Sequence, residues 1–101
     1  MKEYNIEFLP VAWEEIEDIA NYYLQKIGPR SSVKIFDKIM AAIERLKVFP
    51  LSCPLIYDES LKEQGYRMLV CDDYICVYRL IEETVYIYHI SNGRTDYYKL
   101  L

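Results

Sequence analysis

Hydrophobic and polar positions alternate at the start of the chain, where Tyr4, Ile6 and Phe8 are separated by Asn5 and Glu7. A period of two predicts a short strand with one buried face. After Pro10 the period lengthens. Ala12, Ile16, Ile19, Ala20, Tyr23, Leu24 and Ile27 recur at steps of three and four, the stripe of an amphipathic helix. Proline suits the first helical position, because the N–H it lacks has no acceptor there. Glu14, Glu15, Glu17 and Asp18 sit early in this helix, where negative charge complements its dipole. Gly28 and Pro29 end it.

A second helix is predicted to start between Pro29 and Ser32. Its stripe is Val33, Phe36, Met40, Ile43 and Leu46, broadened by Ile35 and Ile39, with Pro50 beyond its end. So short a connection makes the two helices an antiparallel hairpin whose shared apolar surface needs a sheet to cover it. Residues 51–64 carry no period and read as a loop. Three strand-like runs follow Gly65, at residues 66–71, 74–81 and 84–91, separated by Asp72-Asp73 and Glu82-Glu83 and closed by Asn92-Gly93. They are rich in β-branched and aromatic residues, and the two-residue polar breaks predict a meander of hairpins. The expected architecture is α+β in the order β-α-α-β-β-β: an N-terminal strand, an antiparallel helical hairpin and an antiparallel β-meander.

Length and composition fit one globular domain over residues 1–101, since 52% of residues are hydrophobic and 28% charged. No apolar run approaches the roughly 20 residues of a membrane span, and the N-terminus has no signal-peptide pattern, so no membrane partner and a cytoplasmic location are expected. Cys53, Cys71 and Cys76 are odd in number and form no CxxC pair, and His89 is the only histidine. A disulfide framework, a metal site and a cofactor are therefore not expected; small buried thiols in a reducing compartment are. The net charge is −4 with a pI near 5.0, unlike a general nucleic-acid binder. The charge is uneven, however: Arg30, Lys34, Lys38, Arg45 and Lys47 make the second helix and its end locally basic.

Four stretches carry a family resemblance in order: FLPVAWEEIEDIANYY (residues 8–23), IERLKVFP (43–50), GYRMLVCDDYICVYRL (65–80) and ISNGRTDYYKLL (90–101). Together they span essentially the whole chain, and the chain resembles the RelE/ParE toxins of bacterial type II toxin–antitoxin systems. That resemblance implies a small toxin neutralised by a cognate antitoxin protein, with metal-independent, ribosome-associated mRNA cleavage as the expected activity and inhibition of DNA gyrase as the alternative. RelE-like members enter the ribosome and cleave mRNA; ParE-like members inhibit DNA gyrase. A copy that has lost toxicity and only binds its antitoxin is a third reading.

Metal-independent RNA cleavage needs groups to take and give protons and cations around the phosphorane-like charge. Arginine suits the last task because its fork binds two phosphate oxygens at once. The resemblance accordingly implies Arg67, Arg94, Tyr97 and Tyr98 as catalytic candidates. Arg79, His89 and Lys99 are candidates for substrate binding. Structural alternatives are an ion pair with the acidic helix for Arg67, a surface pair with Asp96 for Arg94, a cation–π contact or inter-strand pair for Arg79, and a packed, hydrogen-bonded ring for His89. The tyrosines of the C-terminal half suit half-buried strand positions as well as base stacking.

Overall fold

The computed structural model describes residues 2–93. Strand β1 (Asn5–Phe8) leads into helix α1 (Pro10–Lys26), followed by α2 (Pro29–Glu44) and a 3-10 turn (Arg45–Lys47). A short helix α3 (Glu59–Glu63) precedes β2 (Arg67–Cys71), β3 (Tyr74–Ile81) and β4 (Thr84–Asn92). The α+β class and the β-α-α-β-β-β order are as the sequence pattern predicts, with strand limits that differ by one residue. The sheet runs β1-β4-β3-β2. β2, β3 and β4 form the antiparallel meander, while β1 joins β4 in parallel, with Ile6 opposite Val85 and Phe8 opposite Ile87.

The helical hairpin covers one face of this sheet. Ala12 and Ile16 of α1 meet Ile35, Ile39, Ala42 and Ile43 of α2 above Leu69, Cys76, Tyr78, Val85, Ile87 and Ile90. Burial of these side chains is the main force that fixes the layer order. The stripes differ from expectation at their ends. Ile35 and Ile39 are buried and centre the α2 stripe, whereas Val33 is 59% exposed and Phe36 and Met40 are half-buried. Leu24 and Ile27, expected in the α1 stripe, are also exposed.

Residues 51–64, expected as a plain loop, contain α3. The Asp58 carboxylate accepts the Leu61 N–H at 3.0 Å, which caps the helix. Gly65, at φ 86°, ends it: the Gly65 N–H donates to Lys62 O and the Tyr66 N–H to Leu61 O. Cys53 still packs on the helix side, and from Ile56 onward the segment lies on the opposite face of the sheet. Ile56 and Leu61 pack there against Tyr66, Met68, Ile75, Val77 and Tyr88, so the sheet is covered on both sides.

Register breaks once. Val77 opposes His89 but Tyr78 opposes Ile87, leaving Tyr88 as the extra residue of a β-bulge. The bulge explains why Ile87 and Ile90, three apart, both reach the helix-side core.

Candidate functional site

Three of the seven residues expected to form a site lie within the described part, and they go to three places. Side chains alternate faces along a strand. Arg67 opposes Tyr78, a member of the helix-side core, so Arg67 belongs to that face and Arg79, one residue on from Tyr78, to the other. His89 sits at the bulge near the β4 border. Arg94, Tyr97, Tyr98 and Lys99 lie outside the described residues, as does the Arg94–Asp96 pair.

Arg67 does not meet the acidic helix. Its Nη1 donates to the carbonyl of Cys53 at 2.7 Å, and Leu55 bridges Arg67 in antiparallel fashion. One strand over, the hydroxyl of the fully buried Tyr78 donates to the Pro50 carbonyl at 2.8 Å. Arg67 and Tyr78 therefore hold the chain that leaves the 3-10 turn. Burial pushes the Tyr78 phenol well above its ordinary range, so at neutral pH it is a hydrogen-bond donor rather than a base.

Arg79 lies against two tyrosines. Its guanidinium carbon is 4.5 Å from the Tyr66 ring centroid and 5.4 Å from that of Tyr88, and the two rings meet edge-to-face at 5.0 Å. Nη2 donates to the Tyr88 hydroxyl at 2.8 Å and Nη1 to the Gln64 carbonyl at 3.4 Å. Nε is buried with no hydrogen-bond partner among the described residues. This is the cation–π arrangement anticipated for Arg79, and it ties the end of the α3 segment to the sheet.

His89 faces α1. Its Nδ1 lies 3.2 Å from Glu15 Oε1, and the same oxygen accepts the Ile90 N–H at 3.1 Å. β1 stops pairing at Ile87, so the Glu15 carboxylate takes over a β4 backbone donor where the neighbouring strand has ended. Sequence reasoning did not single out Glu15, and a lone acid in an acidic helix carries no signal for this role.

The shifted phenols and thiols all move towards their neutral forms. Burial pushes up Cys76, Tyr66 and Cys71, and holds Tyr74 at about 12. None of these is thereby primed as a nucleophile or base. Cys76 is buried and Cys53 and Cys71 are partly so. Among the described residues no group of three or more His, Cys, Asp or Glu is placed to hold a metal ion, and no helix is long and apolar enough to cross a membrane. A concavity of about 430 Å³ forms an open groove between α1 and the end of β4, bordered by Glu15, Asp18, Tyr22 and Tyr74.

The class of protein is set by its fold, a helical hairpin on one face of a four-stranded β1-β4-β3-β2 sheet. The fold is similar to that of a chain of the chromosomal ParDE toxin–antitoxin system from P. aeruginosa, with TM-score 0.75, 17% identity, and coverage of 89% of this chain and 96% of that one. It is also similar to a chain of the toxin–antitoxin complex RelBE2 from Mycobacterium tuberculosis, with TM-score 0.60, 20% identity, and coverage of 89% and 98%. No curated protein sequence matches the chain significantly. The family model described as "ParE toxin of type II toxin-antitoxin system, parDE" matches residues 6–97. The chain belongs to the ParE toxin family of type II toxin–antitoxin systems.

Proposed function

We propose that this toxin arrests growth by binding a folded protein target, DNA gyrase, and that a cognate antitoxin neutralises it by occupying its surface. The observation that carries this reading is the match of the ParE toxin family model over residues 6–97, and the placement of the three described candidate residues is in keeping with it. Arg67 donates to the Cys53 carbonyl, Arg79 to the Tyr88 hydroxyl and His89 meets Glu15, each in a different part of the fold. RNA cleavage needs its proton-transfer and phosphate-binding groups within about 3 Å of one reacting centre. The sheet face that bears Arg79 is filled by the chain's own Ile56 and Leu61, which leaves little room there for a nucleotide. The net charge of −4 also opposes a phosphate backbone. Family membership and the ParDE likeness support the same reading.

The alternative, ribosome-associated mRNA cleavage, would place catalytic work on Arg67, Arg94, Tyr97 and Tyr98. Pulse-labelling after induction without antitoxin separates the two. The gyrase reading predicts that DNA synthesis falls first while mRNA stays full length. Early loss of protein synthesis with cleaved mRNA would overturn it.

A further inference from the structure

Between Glu44 and Asp58 the chain has no acidic residue and two cations, Lys47, which pairs with Glu44 at 2.9 Å, and Arg45. In the middle of this stretch Phe49, Pro50, Leu51 and Ser52 form a turn. The Phe49 carbonyl accepts both the Ser52 N–H at 3.2 Å and the Ser52 hydroxyl at 2.8 Å. Pro50 is buried, and its fixed φ suits the second position of a turn. Phe49 and Leu51 on either side of it are 58% and 59% exposed.

The turn is held from below at two carbonyls, by Tyr78 at Pro50 and by Arg67 at Cys53. Its base is fixed as well, since the Phe49 N–H donates to Arg45 O at 3.0 Å. Two large apolar side chains are thus presented to water on a backbone with little freedom left to lose. Such a knob binds with less entropic cost than a mobile loop, and apolar anchors seated in pockets carry most interface energy. Its convex, rigid form suits a preformed pocket on a folded partner; an antitoxin segment that orders on binding needs a groove instead.

We propose that the Phe49–Ser52 turn docks into an apolar pocket with an acidic rim on the folded protein that this toxin targets, with Arg45 facing the rim. The inference rests on the reading that the target is a folded protein. Arg67 and Tyr78 are positioning residues in this account. The test is growth after induction of the full chain without antitoxin, comparing wild type with Phe49→Ser/Leu51→Ser and, separately, Arg45→Glu. Thermal melting of each purified variant checks the fold, which exposed positions leave intact.

The double variant is expected to lose at least tenfold in toxicity at unchanged melting temperature, and Arg45→Glu to lose less. A folded double variant as toxic as wild type overturns the proposal. Measuring the order of DNA and protein synthesis for wild type in the same cultures keeps the two claims apart. If wild type stops DNA synthesis first and the double variant does too, the turn assignment alone fails. If wild type cleaves mRNA, the protein-target reading fails and takes the docking assignment with it.

Discussion

The two faces of the sheet are covered by different means. On one, α1 and α2 lay an aliphatic layer of Ile16, Ile35, Ile39 and Ile43 on Val85, Ile87 and Ile90. On the other, an irregular segment and a five-residue helix place Ile56 and Leu61 against Val77 and a Tyr66–Arg79–Tyr88 cluster. The first face is a core built from regular periodicity and supplies most of the hydrophobic stabilisation. The second is a small satellite that closes a surface and anchors residues 56–66 of the connection, whose start is held from the helix side by Tyr78 and Arg67. Its contacts are aromatic, polar and specific, so it sets where that connection runs more than how stable the whole fold is.

Cavity-forming substitutions probe this difference most strongly. Ile43 and Ile56 are equally buried, at 1% exposure. Ile43→Ala is expected to cost about 3–4 kcal/mol in denaturant unfolding, within the usual range for a large core. Ile56→Ala should cost about 2 kcal/mol, because a peripheral cluster collapses and opens locally with less loss. Equal costs, or a global loss of hydrogen-exchange protection in Ile56→Ala, would show that the second face is part of the main core.

Tyr78→Phe comes next. It keeps the packing but leaves the Pro50 carbonyl without its donor, at a cost of about 1–2 kcal/mol. The lost protection should concentrate in amides 49–53. Arg79→Met replaces the guanidinium with an apolar chain of similar length and removes the Tyr88 hydrogen bond and both ring contacts. A loss of about 1 kcal/mol is expected, partly offset because the orphaned Nε disappears too. A loss as large as that of Ile43→Ala would contradict the satellite description.

The smallest effect at neutral pH becomes visible in alkali. Burial chiefly, helped by the Tyr23 hydroxyl, raises Tyr74 from 10.0 to about 12. Above pH 10 the unfolded chain loses this proton while the folded chain keeps it, so stability falls between about pH 10 and 12 and levels off beyond. Tyr78 is shifted in the same direction and adds to the decline. Tyr74→Phe, compared with wild type by urea unfolding at pH 9 and pH 11, should lose less stability over that interval. An equal loss in both proteins would contradict the assignment.

Most of the helix-side face was legible in the sequence. Period three-to-four text marked α1 and α2, Pro10 and Gly28-Pro29 marked their limits, and Asp72-Asp73 and Glu82-Glu83 marked the hairpins. The first residue of each break, Asp72 and Glu82, has positive φ, as tight two-residue turns require. The stripe of α2 was centred too far towards Val33, because periodicity alone cannot say which flank of a broad stripe meets the sheet. The parallel pairing of β1 left no local signal, since a strand's partner is chosen by the layer above it.

The second face was poorly legible. Its apolar residues show no period, Ile56 lying in the short run Pro54-Leu55-Ile56-Tyr57 and Leu61 alone among polar residues, and only the Asp58 cap and Gly65 hint at α3. The bulge did leave a trace, in the three-residue step from Ile87 to Ile90 within an otherwise alternating strand. Of the site, residue type was legible but destination was not. Arginines at 67 and 79 suit phosphate equally well in one dimension, and the pleat sends them to opposite faces. The functional weight given to Phe49 and Leu51 depends on exposure, which a sequence run ending in Pro50 conceals.

The claim that this toxin acts by engaging a folded protein is tested most directly by gyrase supercoiling of relaxed plasmid in the presence of excess purified chain. The account predicts that supercoiling is inhibited and that mRNA incubated with ribosomes and the same chain stays intact. Normal supercoiling at every excess of chain, with mRNA cut on the ribosome, would contradict it.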